Sequence, residues 1–245
     1  MQDKKENSMF YKEIYNPRPS DYNRNGKLSY EAILQILENV AGNHSANSGD
    51  SIADANKNGI AWILTEWRVQ ILHRPENGES LNITTWVRGK APASAVYRDF
   101  LLTDENGTEV IRAEAKFALF DLATSRLTRI SEELFGSYQP EDKTAFEDAQ
   151  RLCAPSEYTS ETELKLRRSD IDFNGHVHNT RYVDLAMEAL PNEIIASDDF
   201  TDIHILYAKP VMERAVVKAN YVFKDSAYLV AVYADDIYCA LVEFK

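Results

Sequence analysis

A duplicated loop motif constrains the fold of this chain more than any other feature of its sequence. The stretch DYNRNGKL at 21–28 returns 149 residues later as DIDFNGHV at 170–177, so both copies read D-x-[D/N]-x-N-G-[basic]-[aliphatic]. Asp, Asn and Gly are residues that favour tight turns. Two copies of one polar loop, so far apart, predict a chain built from two equivalent halves.

Each loop is followed by apolar residues at helical spacing, which predicts an amphipathic helix in each half. The apolar positions are Ile33, Ile36, Leu37 and Val40 in the first copy, and Tyr182, Leu185, Ala186 and Ala189 in the second. We expect the helices to begin at the N-caps Ser29 and Asn179 and to run for about three turns. Gly42 and Pro191 are the expected ends.

The remaining segments predict strands, because apolar and polar residues alternate between short turns. These segments are 59–72, 81–88, 95–111, 202–207, 215–223, 227–234 and 237–244. Short connections favour antiparallel pairing. We therefore predict an α+β fold with an antiparallel sheet and one central helix in each half. The expected N-terminal domain covers 1–135, the linker 136–158 and the C-terminal domain 159–245.

Composition excludes several classes of function. The net charge of −12 argues against general nucleic-acid binding, which needs a basic surface. No apolar run reaches the length of a membrane span, and the polar N-terminus lacks a signal-peptide core. The two cysteines, Cys153 and Cys239, form no paired motif, so reduced thiols are expected. These features predict a cytoplasmic protein without membrane insertion.

The opening D-x-D-x-N-G resembles a calcium loop, but the rest of the motif does not fit. A calcium loop of this type needs a bidentate Glu at its twelfth position, where the two copies have Ala32 and Arg181. Zinc is equally disfavoured, because His176 and His178 have no cysteine cluster or HExxH motif beside them. We expect no metal and no cofactor.

The second loop carries a set of groups suited to carbonyl chemistry. Asp172, Asn174 and His176 occupy alternate positions just before a predicted helix, whose N-terminus offers free N–H groups. A carboxylate, an amide and an imidazole in one small space can supply a base, an orienting group and hydrogen-bond donors. The first copy has Asn23 and Lys27 instead of the acid and the histidine. One active and one degenerate site is our interpretation, and a plain turn is the alternative.

The stretch DFNGHVHNTRY at 172–182 resembles the D-x-N-x-H-V-N-N-x-x-Y signature of acyl-acyl-carrier-protein (acyl-ACP) thioesterases of plant plastids and bacteria. The stretches AWILTEWRVQ at 61–70, YRDF at 97–100 and SRLTRI at 125–130 resemble other parts of that family. The resemblance implies two tandem hotdog domains, in which each sheet wraps around a helix. It also implies hydrolysis of fatty acyl thioesters on ACP.

By the same resemblance, Asp172, Asn174 and His176 are the implied catalytic residues. We expect His176 or Asp172 to activate water, Asn174 to position the thioester or water, and backbone N–H groups near Val177 and His178 to bind the oxyanion. Direct attack by Asp172 stays open. The Glu and Cys of the plant enzymes are absent from the matching YAKPV segment at 207–211.

The acidic carrier protein implies a basic docking surface on this chain. The candidates that flank the second loop are Arg167, Arg168, Arg181, Lys209 and Arg214. A homodimer is a further expectation, because hotdog domains often pair. Two alternatives stay open: a thioesterase or hydratase acting on coenzyme A thioesters, and a non-catalytic fatty-acyl-binding protein. Acyl length and the substrate-binding residues cannot be read from the sequence.

Overall fold

The structure, a computed structural model, describes residues 10–89, 94–197 and 199–245. The strands are β1 (Tyr11–Tyr15), β2 (Ile60–Ile71), β3 (Leu81–Val87), β4 (Val96–Thr103), β5 (Glu109–Asp121), β6 (Arg126–Thr128), β7 (Ser160–Leu164), β8 (Asp202–Tyr207), β9 (Val217–Lys224), β10 (Ala227–Ala234) and β11 (Ile237–Phe244). The helices are α1 (Tyr30–Asn47), α2 (Ile52–Lys57), α3 (Glu132–Gly136), α4 (Arg181–Met187) and α5 (Asn192–Ser197).

The two halves join into one continuous antiparallel sheet. Its order is β1-β3-β4-β5-β2-β8-β11-β10-β9-β7, and β6 pairs with β5. The second half therefore repeats the order of the first, with β7-β9-β10-β11-β8 matching β1-β3-β4-β5-β2. The halves meet where β2 pairs with β8, with Trp67 opposite Ile205. The predicted α+β antiparallel architecture is confirmed, whereas this edge-to-edge junction was not predicted.

The central helices differ from the predicted lengths. Ser29 caps α1 as expected, since its side chain accepts a hydrogen bond from Ala32 N at 3.1 Å. However, α1 has 18 residues and continues through Gly42, so the predicted end there is wrong. A glycine within a helix costs stability but does not stop the helix. The chain leaves the helix at Ser48, just before Gly49, whose φ is +79°.

The second helix is shorter than predicted. It has seven residues, about two turns, and its N-cap is Thr180 rather than Asn179. Pro191 does not end it but precedes α5. The helix α1 packs on β1 and β3, α4 packs on β10 and β11, and the two helices contact each other. Each half of the sheet thus curves around its own helix.

The hydrophobic core is shared by the two halves. One cluster joins Trp67 and Leu37 of the first half to Val183 and Ile205 of the second. The segment 137–159 contains no helix or strand, but it packs on the sheet through residues such as Leu152. The division at 1–135, 136–158 and 159–245 stays a prediction. Within the described ranges, no helix combines the length and apolar character needed to cross a membrane.

Candidate active site

The loop at 170–178 is held in shape by its own backbone and by one buried carboxylate. Asp170 is 2% exposed, and its carboxylate accepts hydrogen bonds from Arg167 N at 2.7 Å and from Arg167 Nε at 3.0 Å. Asp172 N donates to His176 O at 2.7 Å, which closes the turn. Gly175 has φ +78°, a conformation that glycine adopts without strain.

The Asp172 side chain braces this turn. Its Oδ1 accepts hydrogen bonds from Asn174 N at 2.8 Å and from His176 N at 3.0 Å. In the first copy, Asn23 Oδ1 accepts from Asn25 N at 2.9 Å and from Lys27 N at 3.2 Å. An amide oxygen therefore suffices for this structural role, and the negative charge of Asp172 is not needed for it.

The structure brings only one of the three predicted catalytic residues to a cavity. Asn174 lines the cavity described next, whereas Asp172 and His176 do not. Within the described part of the chain, the His176 ring makes no hydrogen bond with the Asp172 carboxylate. The backbone of His176 bridges to Met212, which fixes the loop beside the segment after β8.

The cavity has a volume of about 310 Å³ and runs along one face of α1. The helix contributes Glu38, Ala41, Gly42 and Ser45, which have the spacing i, i+3, i+4, i+7. The seven-residue span corresponds to about 10 Å along the helix axis. Other apolar lining residues are Ala55, Ala61, Trp62, Val87, Val96 and Phe117. The 170–178 loop contributes Phe173 and Asn174 to the lining.

The inner end of the cavity is closed by buried polar groups. Arg98 is 4% exposed and contacts His44 Nδ1 at 2.5 Å. Tyr138 OH and Trp62 Nε1 both donate to Asp50 Oδ2, at 2.5 and 2.6 Å. Burial and the Arg98 charge lower the pKa of His44 to about 3, so this imidazole is neutral. Burial lowers the pKa of Arg98 to about 10, which leaves the guanidinium charged at neutral pH.

The outer end of the cavity contains an acid that the sequence analysis missed. Glu38 Oε2 lies 3.8 Å from His178 Nδ1, so α1 of the first half faces the loop of the second half. Burial raises the pKa of Glu38, the neighbouring His178 lowers it, and the Asp172 charge raises it further. The sequence did contain a signal, because the small residues at 41, 42 and 45 follow Glu38 on one helix face and leave room for a cavity.

The geometry also bears on the expected oxyanion donors and on the two cysteines. The N–H groups of Val177 and His178 donate to Val211 O and Asp170 O, both at 2.8 Å, so neither is free to bind an oxyanion as we expected. Cys153 is exposed and Cys239 buried, and neither forms a disulfide. Across residues 10–89, 94–197 and 199–245, no group of three or more His, Cys, Asp or Glu side chains could hold a metal ion.

Comparison with known families identifies the chain. The family described as "Acyl-ACP thioesterase N-terminal domain" matches residues 8–138, and "Acyl-ACP thioesterase C-terminal domain" matches residues 153–235. The chain belongs to the acyl-ACP thioesterase family. The loop at 170–178 lies in the part matched by the C-terminal family domain, and Glu38 lies in the part matched by the N-terminal one.

Two similar proteins are thioesterases of plant chloroplasts. Oleoyl-acyl carrier protein thioesterase 2 of Arabidopsis thaliana is 29% identical over 231 residues, which cover 86% of this chain and 62% of that protein. Palmitoyl-acyl carrier protein thioesterase of Gossypium hirsutum is 26% identical over 212 residues, or 81% of this chain and 51% of that protein. The chain thus spans less than two thirds of the length of these relatives.

Solved structures confirm the double-hotdog fold. The 12:0-ACP thioesterase from Umbellularia californica has a TM-score of 0.85 at 19% identity, covering 97% of both chains. An acyl-ACP thioesterase from Bacteroides thetaiotaomicron also has a TM-score of 0.85, at 20% identity, covering 96% of this chain and 97% of that one. Each hotdog unit of this family corresponds to one copy of the loop motif and one copy of the repeated strand order.

Proposed function

We propose that the chain hydrolyses fatty acyl thioesters carried by ACP and releases the free fatty acid. The observation that carries this proposal is the apolar cavity along α1, which opens beside Asn174 of the 170–178 loop. A fatty acyl chain in that cavity would place its thioester at the loop and its methyl end toward Ser45 and Arg98. Family membership and the names of the relatives support the same reaction.

The proposed site consists of Asp172, Asn174 and His176, with unequal roles. Asn174 would donate one N–H of its side-chain amide to the thioester oxygen; the proposal is supported by its position in the cavity lining, and its Nδ2 also donates to Asp172 Oδ2 at 3.4 Å. Such a donor stabilises the charge that develops on that oxygen when water attacks. Asp172 holds the loop in shape and adds a negative charge nearby. His176 would exchange protons with water or with the departing thiol.

The proposed carrier partner is acidic ACP, and three exposed cations would attract it. Arg168, Lys209 and Arg214 are exposed beside the 170–178 loop in sequence. The other two candidates have intramolecular partners: Arg167 holds Asp170, and Arg181 Nη1 lies 2.7 Å from Glu31 Oε2. We retain a cytoplasmic location and a homodimer as part of the proposal.

A non-catalytic acyl-binding protein is the second candidate. It is favoured by one observation, that Oδ1 of Asp172 is occupied by the turn while the His176 ring does not hydrogen-bond to it. Such a protein would bind the acyl chain in the same cavity without hydrolysis. An acyl-CoA thioesterase is the third candidate, and it differs only in the carrier.

Release of free thiol from matched panels of acyl-ACP and acyl-CoA thioesters tests these candidates. We expect turnover on acyl-ACP that falls strongly in His176→Ala and Asn174→Ala. The control is His73→Ala, since His73 is an exposed histidine whose Nε2 lies 3.7 Å from Glu79 Oε2 and which does not line the cavity. Faster turnover on acyl-CoA would reassign the carrier. Tight acyl binding without thiol release from either carrier would favour the binding protein.

A further inference from the structure

Glu38 and Asn174 both line the cavity. His178 Nδ1 lies 3.8 Å from Glu38 Oε2, and Asp172 and Tyr207 interact electrostatically with Glu38. We propose that Glu38 of α1 is the general base that activates the hydrolytic water, so that the first hotdog unit supplies a catalytic residue to the loop of the second. This inference rests on the proposed thioester hydrolysis and assigns its two proton transfers to Glu38 in place of His176.

The geometry favours Glu38 over Asp172 as that acceptor. Glu38 lines the cavity together with Asn174, whereas Asp172 does not. Within the described residues, the Glu38 carboxylate accepts no hydrogen bond, and its one ion pair is the 3.8 Å contact with His178. Asp172 Oδ1 already accepts two backbone hydrogen bonds. A base must have a lone pair available for the water that it deprotonates. Among the described residues, Glu38 Oε1 has no hydrogen-bond or ion-pair partner, whereas Oε2 faces His178.

The internal repeat gives independent support. At the offset of 149 residues, Glu38 corresponds to Met187, Asp172 to Asn23, His176 to Lys27 and His178 to Ser29. The second loop and α1 therefore carry a carboxylate or an imidazole at all four positions, and the equivalent positions in the first loop and α4 carry none. If Glu38 served only folding, it would have no reason to occur together with the reactive residues of the second loop.

The surroundings of Glu38 make its carboxylate a stronger base than that of an ordinary glutamate. Burial and the charge of Asp172 raise the pKa of Glu38, while His178 partly offsets the rise. Tyr207 of β8 is neutral there, because burial raises its pKa well above the ordinary value. A carboxylate with a raised pKa takes a proton from water more readily than an ordinary glutamate does. His178 would keep the carboxylate oriented, through its contacts with Glu38 at 3.8 Å and Thr180 Oγ1 at 3.1 Å.

The proposed step balances without any further reactant. The Glu38 carboxylate takes one proton from water as the water oxygen bonds to the thioester carbonyl carbon. The carbonyl π electrons move to its oxygen, beside the Asn174 amide. When these electrons re-form the carbonyl double bond, the carbon–sulfur bond breaks, and the proton held by Glu38 passes to the departing sulfur. The products are a carboxylic acid and the free carrier thiol, and Glu38 is again ionised.

Steady-state kinetics of Glu38→Gln against pH test this assignment. Glutamine keeps the size of the side chain but cannot accept the proton, so we expect kcat to fall by about 100-fold or more with little change in KM. In the wild type, kcat/KM should fall as pH drops through the raised pKa of Glu38, and this acid limb should be absent from the residual activity of the variant. Glu38→Asp should recover part of kcat, because it restores a carboxylate.

Glu188→Gln is the matched control, since it makes the same chemical change at an exposed glutamate that follows α4 and does not line the cavity. It should retain wild-type kcat and the wild-type pH profile. A Glu38→Gln enzyme with kcat within about threefold of wild type would overturn the Glu38 assignment while leaving thioester hydrolysis intact. An effect on KM alone would also overturn it, because it would make Glu38 a binding residue. A wild-type protein without activity on any thioester would overturn both proposals.

Discussion

Removing the Asp172 carboxylate should unfold the turn only when the replacement cannot accept hydrogen bonds. The Oδ1 atom accepts from Asn174 N at 2.8 Å and from His176 N at 3.0 Å. Each such bond on a partly exposed loop contributes about 1 kcal/mol, so Asp172→Ala should lower the free energy of unfolding by about 2 kcal/mol. For a chain of this size, that loss corresponds to a Tm decrease of about 4–8 °C.

Asp172→Asn should stay within about 0.5 kcal/mol of wild type, because asparagine keeps the acceptor oxygen, as Asn23 does in the first copy. Asn23→Ala removes the equivalent acceptor from the first loop, and we expect a similar decrease in the free energy of unfolding. Thermal and urea unfolding followed by circular dichroism measure all three variants. If Asp172→Asn lost as much stability as Asp172→Ala, or if Asp172→Ala lost none, the turn-bracing role would be refuted. Since Asp172→Asn preserves the turn, its kcat reports the contribution of the charge separately from the loop shape.

Three further changes test the cavity, the loop and the pH dependence. Gly42→Leu should lower kcat/KM for long acyl chains more than for short ones, because a side chain at Gly42 meets no atom within 4 Å and would project into the cavity; equal losses at all lengths would contradict this. Gly175→Ala should lower the free energy of unfolding in urea by about 1–2 kcal/mol, because φ at this residue is +78°. An added Cβ meets no atom within 4 Å, so the loss would come from the backbone alone, and an unchanged free energy would contradict it. Burial and neighbouring Glu31 raise the pKa of Asp184 to about 7, so the wild type should lose stability as pH rises from about 4 to 7. Urea midpoints should therefore show Asp184→Asn gaining on wild type between pH 5 and pH 8, and a constant difference would refute the effect.

The local part of this structure could be predicted from sequence. The repeat at 149 residues predicted two equivalent loops, and the loops do share the same hydrogen bonds, because Asp, Asn and Gly form this turn from neighbouring residues alone. The strands could also be predicted, because the alternation of apolar and polar residues is a local pattern. The extent of α1 was not predicted, since Gly42 is a weak helix former and the helix also packs against β1, β3 and α4.

The candidate site needed tertiary information. Glu38 and His178 are 140 residues apart in the chain and meet only because β2 pairs with β8 and α1 contacts α4. The loop could therefore be found from its motif. The reactive role predicted for Asp172 could not be checked there, because only the structure shows that its Oδ1 accepts two backbone hydrogen bonds. The three catalytic residues implied by the sequence also leave out His178, which lies 3.8 Å from Glu38.

The intact mass of an acylated carrier, followed over time after mixing with the protein, tests the central claim most directly. Hydrolysis predicts that acyl-ACP loses the mass of its acyl group and becomes the free-thiol carrier, with an equal amount of fatty acid released. A carrier that binds the protein yet keeps its acyl group throughout would contradict the claim that this chain is a thioesterase.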